Sequence, residues 1–202
     1  MANTMSIDLL SLVSDFRRFD DQENANASFR TRVPWVAPAA YLNVVFKPAP
    51  SKLLFEVAGR WSFPSVVIDF LSRQNGAMLF SGSLTLYGVV DPTRLLNRQD
   101  PFSLPPFDIE RENKSWTFHP DRLLVVGGYR FDGSRASIDR VDGQIHVFQK
   151  GQRIPAVSWV SFDSWLLSEI GRLQLLFDAD GKRAGPDSET GPPQSATARG
   201  NM

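Results

Sequence analysis

Three turn signals divide residues 122–149 into short segments, and this pattern constrains the fold more than any other feature of the chain. Each signal is a glycine-containing dipeptide of the kind that favours the tight connection of a β-hairpin. The dipeptides are Gly127-Gly128, Asp132-Gly133 and Asp142-Gly143. The strand-length segments beside them are residues 123–126, 135–139 and 144–148. Because strands joined by tight turns run antiparallel, the pattern predicts an antiparallel meander.

Helices are predicted on both sides of this meander along the chain. Ser161 is a favoured N-cap residue and Asp180-Gly181 a favoured helix end, and between them apolar side chains recur at helical spacing. The apolar stripe consists of Phe162, Trp165, Leu166, Ile170, Leu173 and Phe177. Other helices are predicted for residues 7–19, 51–59, 65–74 and 91–96. The sequence therefore predicts an α+β fold, with an antiparallel or mixed β-sheet flanked by helices in a single domain.

The ends of the chain differ in composition from its middle. Residues 1–50 contain a predicted helix and a proline-rich segment with extended structure around residues 41–46, and we expect them to pack on the domain as an extension. Residues 51–183 form the predicted domain. Residues 184–202 are rich in Pro, Gly, Ser, Thr and Ala, a composition that favours a disordered tail.

Charge and cysteine content exclude several classes of function. Lys and Arg total 22, as do Asp and Glu, so the chain lacks the basic excess that nucleic-acid binding requires. The absence of Cys rules out disulfides, thiolate nucleophiles and Cys-based zinc sites. No apolar run is long enough to cross a bilayer, and no secretory signal is visible at the N-terminus. We expect a cytoplasmic protein that binds neither nucleic acid nor membranes.

The residues available for catalysis are few. The two histidines, His119 and His146, are far apart in the sequence, and His146 is expected to point to solvent from its strand. Asp132, Asp139 and Asp142 alternate with arginines, which favours a surface charge pattern over a metal site. The carboxylates of residues 108–112 are interpreted as a solvated face, and Gly127-Gly128 as a tight turn rather than a phosphate cradle. The sequence thus predicts no catalytic residues, no metal and no cofactor.

Aromatic and arginine side chains near turns are the candidates for contact with a partner. Trp165 is assigned to the core, whereas Trp116 lies in an irregular, charged segment where an indole ring can be exposed. Arg and Trp carry much of the binding energy at protein interfaces, and loops leave side chains free to reach a partner. The predicted partner-binding residues are Trp116, Arg130, Asp132 and Arg135.

Residues 53–80 contain short motifs in a distinctive order. A helix with Glu56 is followed by a Phe-Pro step at Pro64, a second helix that ends in Phe70-Leu71, and an Asn-Gly pair before a strand. This order resembles the SUKH superfamily, which includes the fungal Smi/Knr cell-wall regulators and many bacterial immunity proteins. Asn75 and Gly76 also match the family pattern, whereas Ala77 stands where the family often has Gly.

The resemblance continues through three later segments. Residues 86–89 are similar to the strand that the family places next, residues 127–148 to its glycine-rich strands, and residues 159–173 to its closing helix. The similarity covers about residues 51–178, so the first fifty residues depart from the minimal family pattern.

The resemblance implies that the chain binds a protein and is not an enzyme. Bacterial members of the superfamily neutralise cognate toxins by occluding them, so the leading hypothesis is a bacterial immunity protein with a toxin as its stoichiometric partner. The alternative is a SUKH-like regulatory or scaffold protein that recruits housekeeping partners. A large toxin encoded by the neighbouring gene would favour the first hypothesis.

Overall fold

Nine strands form one sheet in the computed structural model of the chain, which describes residues 7–13, 16–17, 20–33, 41–91, 103–119 and 121–193. The strands lie in the sheet in the same order as in the chain, and every neighbouring pair is antiparallel. Their bounds are β1 Gln22–Glu23, β2 Ala27–Arg32, β3 Tyr41–Phe46, β4 Ala77–Leu79, β5 Leu84–Leu86, β6 Leu123–Tyr129, β7 Arg135–Asp139, β8 Ile145–Phe148 and β9 Val157–Trp159.

Five α-helices accompany the sheet within the described residues, so the predicted α+β class is confirmed. Their bounds are α1 Leu9–Leu12, α2 Ser51–Trp61, α3 Ser65–Leu71, α4 Ile109–Ser115 and α5 Phe162–Gln174. A single 3₁₀ turn, Asp187–Thr190, follows α5. None of these helices is long and apolar enough to cross a membrane.

Several boundaries differ from those predicted. The first helix ends at Leu12, and the described residues Phe16 and Arg17 lie outside it. Helix α5 ends at Gln174, six residues before the expected stop. Strand β2, with its polar sequence Ala-Ser-Phe-Arg-Thr-Arg, was not predicted, and with β3 it places much of the N-terminal extension within the sheet. The helix predicted for residues 91–96 lies outside the described residues after Asp91.

Gly127-Gly128 is not a turn, and our interpretation of it was wrong. Both glycines lie inside β6, beside a register shift between Val125 and Gly127. A Cβ atom at Gly127 would lie 2.7 Å from the Thr85 carbonyl oxygen and 3.0 Å from the Trp165 ring. A Cβ at Gly128 would lie 2.5 Å from the Tyr87 hydroxyl. Here glycine allows large side chains to approach a strand closely on both of its faces.

The main core lies between one face of the sheet and helices α2, α3 and α5. Alternation along β8 directs Ile145 and Val147 into this core, where they join the fully buried Trp165 of α5. Ser161 caps α5 in a reciprocal capping box with Ser164, which confirms the predicted helix start. A second, smaller cluster consists of Ala27, Phe29, Tyr41, Val44 and Phe46.

At two points where no neighbouring strand pairs with the backbone, a side-chain amide forms the hydrogen bonds instead. The Asn113 amide of α4 donates to the Val125 carbonyl at 2.8 Å and accepts from the Val125 N–H at 2.9 Å, beyond the end of β5. Asn75 makes the same pair of bonds with Val89, at 2.8 and 2.7 Å. Buried backbone polar groups must be paired, and these two amides pair them where the sheet cannot. Asn113 thereby fixes α4 beside β6.

The chain after α5 folds back onto the domain as far as residue 193. Arg172 forms a two-point ion pair with the fully buried Glu169, at 2.7 and 3.1 Å, and also donates to the carbonyl oxygens of Glu189 and Gly191. Thr190 is buried at the end of the 3₁₀ turn. This differs from the expected disorder of the tail, because one buried charge supplies hydrogen bonds that composition does not reveal. Residues 194–202 lie outside the described residues.

Candidate partner-binding groove

The four predicted partner-binding residues separate into two groups. Arg130 and Asp132 lie in the turn between β6 and β7, and Arg135 is the first residue of β7. Trp116 directly follows α4. Trp116 and Arg135 lie close together because both are neighbours of Phe148, whereas Arg130 faces a separate groove.

Trp116 and Arg135 are engaged within the fold. The Trp116 ring packs against Phe148 with a centroid separation of 5.8 Å, and Phe148 is the cross-strand partner of Arg135. Arg135 forms an ion pair with Glu112 of α4, whose side chain is only 13% exposed. Both residues therefore hold α4 and its C-terminal flank against the sheet, a role that leaves little of either free for a partner.

The carboxylates of α4 are not the solvated face that we expected. Asp108 caps the helix by accepting from the Glu110 N–H at 2.9 Å. Glu110 accepts from the Trp61 indole at 3.0 Å and from Arg60 at 3.1 Å, and Glu112 is paired with Arg135. Each carboxylate is thus committed to a structural contact. The spacing of the three residues could not show this for Glu110 and Glu112, because their partners come from distant parts of the chain.

Asp132 shapes the β6–β7 turn. Its carboxylate accepts from the Ser134 N–H at 2.9 Å and from the Ser134 hydroxyl at 2.6 Å, and Gly133 takes a left-handed conformation with φ of 70°. An aspartate that closes a turn in this way fixes the direction of its neighbours. The turn presents Arg130 and Phe131 to solvent, and Phe131 is 50% exposed.

A groove of about 660 Å³ opens beside these two residues, and we call it the β6–β7 groove. Three segments form its walls: the connection between β4 and β5, the β6–β7 turn, and the chain from residue 177 to residue 190. Its lining residues are Phe80, Ser81, Ser83, Arg130, Phe131, Phe177, Gly181, Lys182, Arg183, Asp187 and Thr190.

The charges of the groove are predominantly positive. Arg130, Lys182 and Arg183 supply three cations, against one carboxylate from Asp187. Asp187 forms an ion pair with Arg183, whose Nε also donates to the Gly185 carbonyl at 2.9 Å. Arg130 makes only a long contact of 3.4 Å with the Ser81 carbonyl oxygen. Of the two arginines, the one beside the exposed Phe131 is therefore the less constrained by the fold.

The β4–β5 wall is built on unusual backbone conformations. Phe80, Ser81 and Gly82 have φ angles of 54°, 57° and 82°, although the first two are not glycine. Each such non-glycine residue costs on the order of 1 kcal/mol or more, so surrounding contacts must impose the conformation. The Phe80 N–H donates to the buried Asn43 side chain at 3.0 Å, and the Phe80 ring stacks on Phe177 at 5.5 Å. Backbone strain of this kind concentrates at binding sites, which supports a functional role for this wall.

Sequence reasoning identified Arg130 in this groove and missed its other cations. Lys182 and Arg183 lie about fifty residues further along the chain, immediately after Asp180-Gly181. That adjacent basic pair was the available signal. It was overlooked because the pair lies between the predicted helix end at Asp180-Gly181 and the predicted disordered tail from residue 184, and was not assigned to either.

Comparisons with known proteins add no assignment to this groove. No family model matches the chain, and neither the curated proteins nor the solved structures yielded a match. The SUKH resemblance stays a prediction that rests on the short motifs described above.

Proposed function

We propose that this protein is a binding module of SUKH-like fold that occludes one partner protein stoichiometrically, and that the partner binds in the β6–β7 groove. The observation that carries the proposal is the combination of three cations and an exposed phenylalanine at one concave surface. Arginine and aromatic residues dominate the binding energy of protein interfaces, and a concave, partly apolar site can remove them from water.

The chemistry of the groove indicates the chemistry of the partner. Positive walls attract carboxylates, and the Phe131 and Phe177 rings provide apolar area beside them. We therefore expect the partner to contribute an acidic segment that also carries an apolar or aromatic side chain. An acidic segment would pair with Arg130 at little cost, because the fold holds that guanidinium only through one long contact.

An immunity protein that occludes a toxin is the form of this function that the SUKH resemblance favours. The supporting observations are the motif order of residues 53–80 and the α+β architecture with one antiparallel sheet. An occluding protein needs a rigid complementary surface rather than reactive groups. The tightly fixed turns around the β6–β7 groove meet this requirement.

The direct test is co-expression and purification with the product of the neighbouring gene, followed by calorimetric titration. We expect a one-to-one complex and loss of the partner's activity when the complex forms. The Arg130→Ala variant should lose at least about 2 kcal/mol of binding free energy, or roughly thirty-fold in affinity, at unchanged thermal stability.

Arg153→Ala is the matched control, because Arg153 is equally exposed and lies outside the groove lining. This variant should bind within about two-fold of the unmodified protein, since a side chain outside the interface acts independently of the contacts in the groove. The groove is refuted as the binding site if the triple variant Arg130→Ala, Lys182→Ala, Arg183→Ala retains full affinity. A catalytic turnover that survives in the absence of any partner would refute the binding function itself.

A further inference from the structure

A second cluster of ionisable side chains lies at the other end of β7, around the β7–β8 turn. One carboxylate oxygen from Asp139, one from Asp142 and one ring nitrogen of His146 all lie within 4.8 Å of one another. The sequence had grouped these two aspartates with Asp132, but Asp132 belongs to the β6–β7 turn. The third member of the cluster is instead His146, and an imidazole binds transition metals more strongly than a third carboxylate does.

The hairpin holds the two carboxylates in fixed directions. Asp139 accepts from the Val141 N–H at 2.9 Å, and Asp142 accepts from the Gln144 N–H at 2.9 Å. The second oxygen of each points towards Arg122, at 2.5 Å for Asp139 and 3.8 Å for Asp142. Two carboxylates therefore converge on a position where one cation, the Arg122 guanidinium, already binds.

His146 contributes a ring nitrogen to the same cluster, and its ring is held by a contact with β9. Its Nδ1 is hydrogen-bonded to the Ser158 hydroxyl of β9 at 2.7 Å, which leaves Nε2 as the nitrogen available to a ligand. Metal-binding histidines usually have their other ring nitrogen held by a hydrogen bond in this way, because the bond fixes the tautomer and the ring orientation.

An independent observation comes from Ser137. This residue is fully buried, and its hydroxyl has no hydrogen-bond partner among the described residues. Ser137 is the cross-strand partner of His146 and lies two residues before Asp139 on the same strand, so all three side chains project from one face of the sheet. A buried hydroxyl without a partner is costly. A water molecule bound to a metal ion on this face would supply the hydrogen-bonding partner that the protein does not.

We infer that the β7–β8 hairpin binds a divalent transition-metal ion, of the class of Zn²⁺, through Asp139, Asp142 and His146, and that Arg122 competes with the ion. Mixed carboxylate and imidazole ligands suit Zn²⁺ better than Mg²⁺, which prefers oxygen ligands alone. The three donor atoms must approach to about 3.4 Å to share a tetrahedral ion at bonds of about 2.0–2.1 Å. Asp142 can make this adjustment because it lies in the exposed turn. Arg122 can withdraw because its side chain is 59% exposed.

The site is independent of the β6–β7 groove, and the experiment needs no partner protein. Chelator-treated full-length protein is titrated with Zn²⁺ alone by calorimetry, and its thermal midpoint is recorded with and without the ion. We expect one ion per chain and a rise of the midpoint with Zn²⁺ concentration. His146→Gln and Asp142→Asn should each weaken binding at least ten-fold. His119→Gln is the matched control, since it removes the other histidine, and it should bind like the unmodified protein.

Arg122 gives the sharpest test, because a merely structural cluster predicts no gain in Zn²⁺ affinity when Arg122 is replaced. Arg122→Gln removes the competing cation and should strengthen Zn²⁺ binding at least five-fold, although the ion-free variant is less stable. The inference is overturned if Arg122→Gln binds no better than the unmodified protein. It is equally overturned if His146→Gln and His119→Gln lose affinity to the same extent, which would indicate binding without a defined site.

Discussion

Replacing Arg172 with methionine should destabilise the protein by about 3 kcal/mol and release the chain after residue 183. The Glu169 side chain is fully buried, and Arg172 is the group that balances its charge through two contacts at 2.7 and 3.1 Å. Removing one partner of a buried ion pair costs roughly 3–5 kcal/mol, because the other charge stays buried without compensation. We expect the lower end of this range, since the Arg172 side chain is 26% exposed and water can reach the vacated position.

Urea unfolding followed by tryptophan fluorescence measures this loss. The midpoint should fall while the slope of the free energy against urea concentration stays constant. Limited trypsin digestion gives the second measurement, because the Glu189 and Gly191 carbonyls that Arg172 holds would be freed and cleavage after Arg183 should accelerate.

A double variant tests whether the loss of stability comes from the unpaired charge of Glu169. Glu169→Gln combined with Arg172→Met removes both charges, and the glutamine keeps an acceptor for the Tyr129 hydroxyl, which is hydrogen-bonded to Glu169. The double variant should recover at least half of the lost stability, since an ion pair replaced as a whole costs far less than one that is broken. A double variant no more stable than Arg172→Met would refute the assignment of the cost to an unpaired charge.

Two further predictions concern stability. Trp165→Ala should cost roughly 3–5 kcal/mol in urea unfolding, because the ring is fully buried and its indole N–H donates to Tyr129 at 3.1 Å, and an equally stable variant would contradict the placement of α5. Burial, followed by the charge of Glu112, raises the pKa of Tyr87 to about 12 from an ordinary 10.0. The unfolded chain loses the Tyr87 proton near pH 10, whereas the folded protein keeps it to higher pH. The free energy of unfolding therefore keeps its full value below about pH 10 and falls by about 2–3 kcal/mol by pH 12. Unfolding measured between pH 9 and 12 should show a shallower decline for Tyr87→Phe, and an identical decline would contradict the prediction.

The sequence predicted those elements whose signals are local. The Asp-Gly turns marked both ends of β7, and Ser161 marked the start of α5, because in each case the residue that forms the contact is within a few positions of the backbone that it caps. Strand β2 was not predicted because its sequence is polar, and its place in the sheet depends on pairing with β3, which begins nine residues after β2 ends. Strand β9 was not predicted because three residues are too few to show the alternation of apolar and polar side chains that marks a strand.

The candidate site was predicted less well than the fold. Arg130 was correctly placed at an exposed turn, but Trp116 and Arg135 are used to hold α4, since their partners Phe148 and Glu112 could not be inferred from spacing. Whether an arginine is free or paired is a property of tertiary contacts. The same reason explains why the ordering of the chain near Thr190 was missed.

The agreement between strand order and chain order has a consequence for how the protein folds. Each strand pairs only with its neighbours in sequence, and six of the eight connections are short enough for the sheet to grow there by hairpins. The β3–β4 and β5–β6 pairs instead close longer loops, which contain α2 and α3 in the first case and α4 in the second. Helix α5 is different, because it comes after β9 and the turn that follows it reaches back to the segment after α1 and to β2 and β3. There the Arg17 N–H donates to the Ala179 carbonyl at 2.9 Å, and Gly181 lies against Leu42. We therefore expect the hairpin-connected strands to pair early and fast, the two pairs with long connections to follow, and the docking of α5 and its following turn to come last, because it makes the contacts of highest sequence separation.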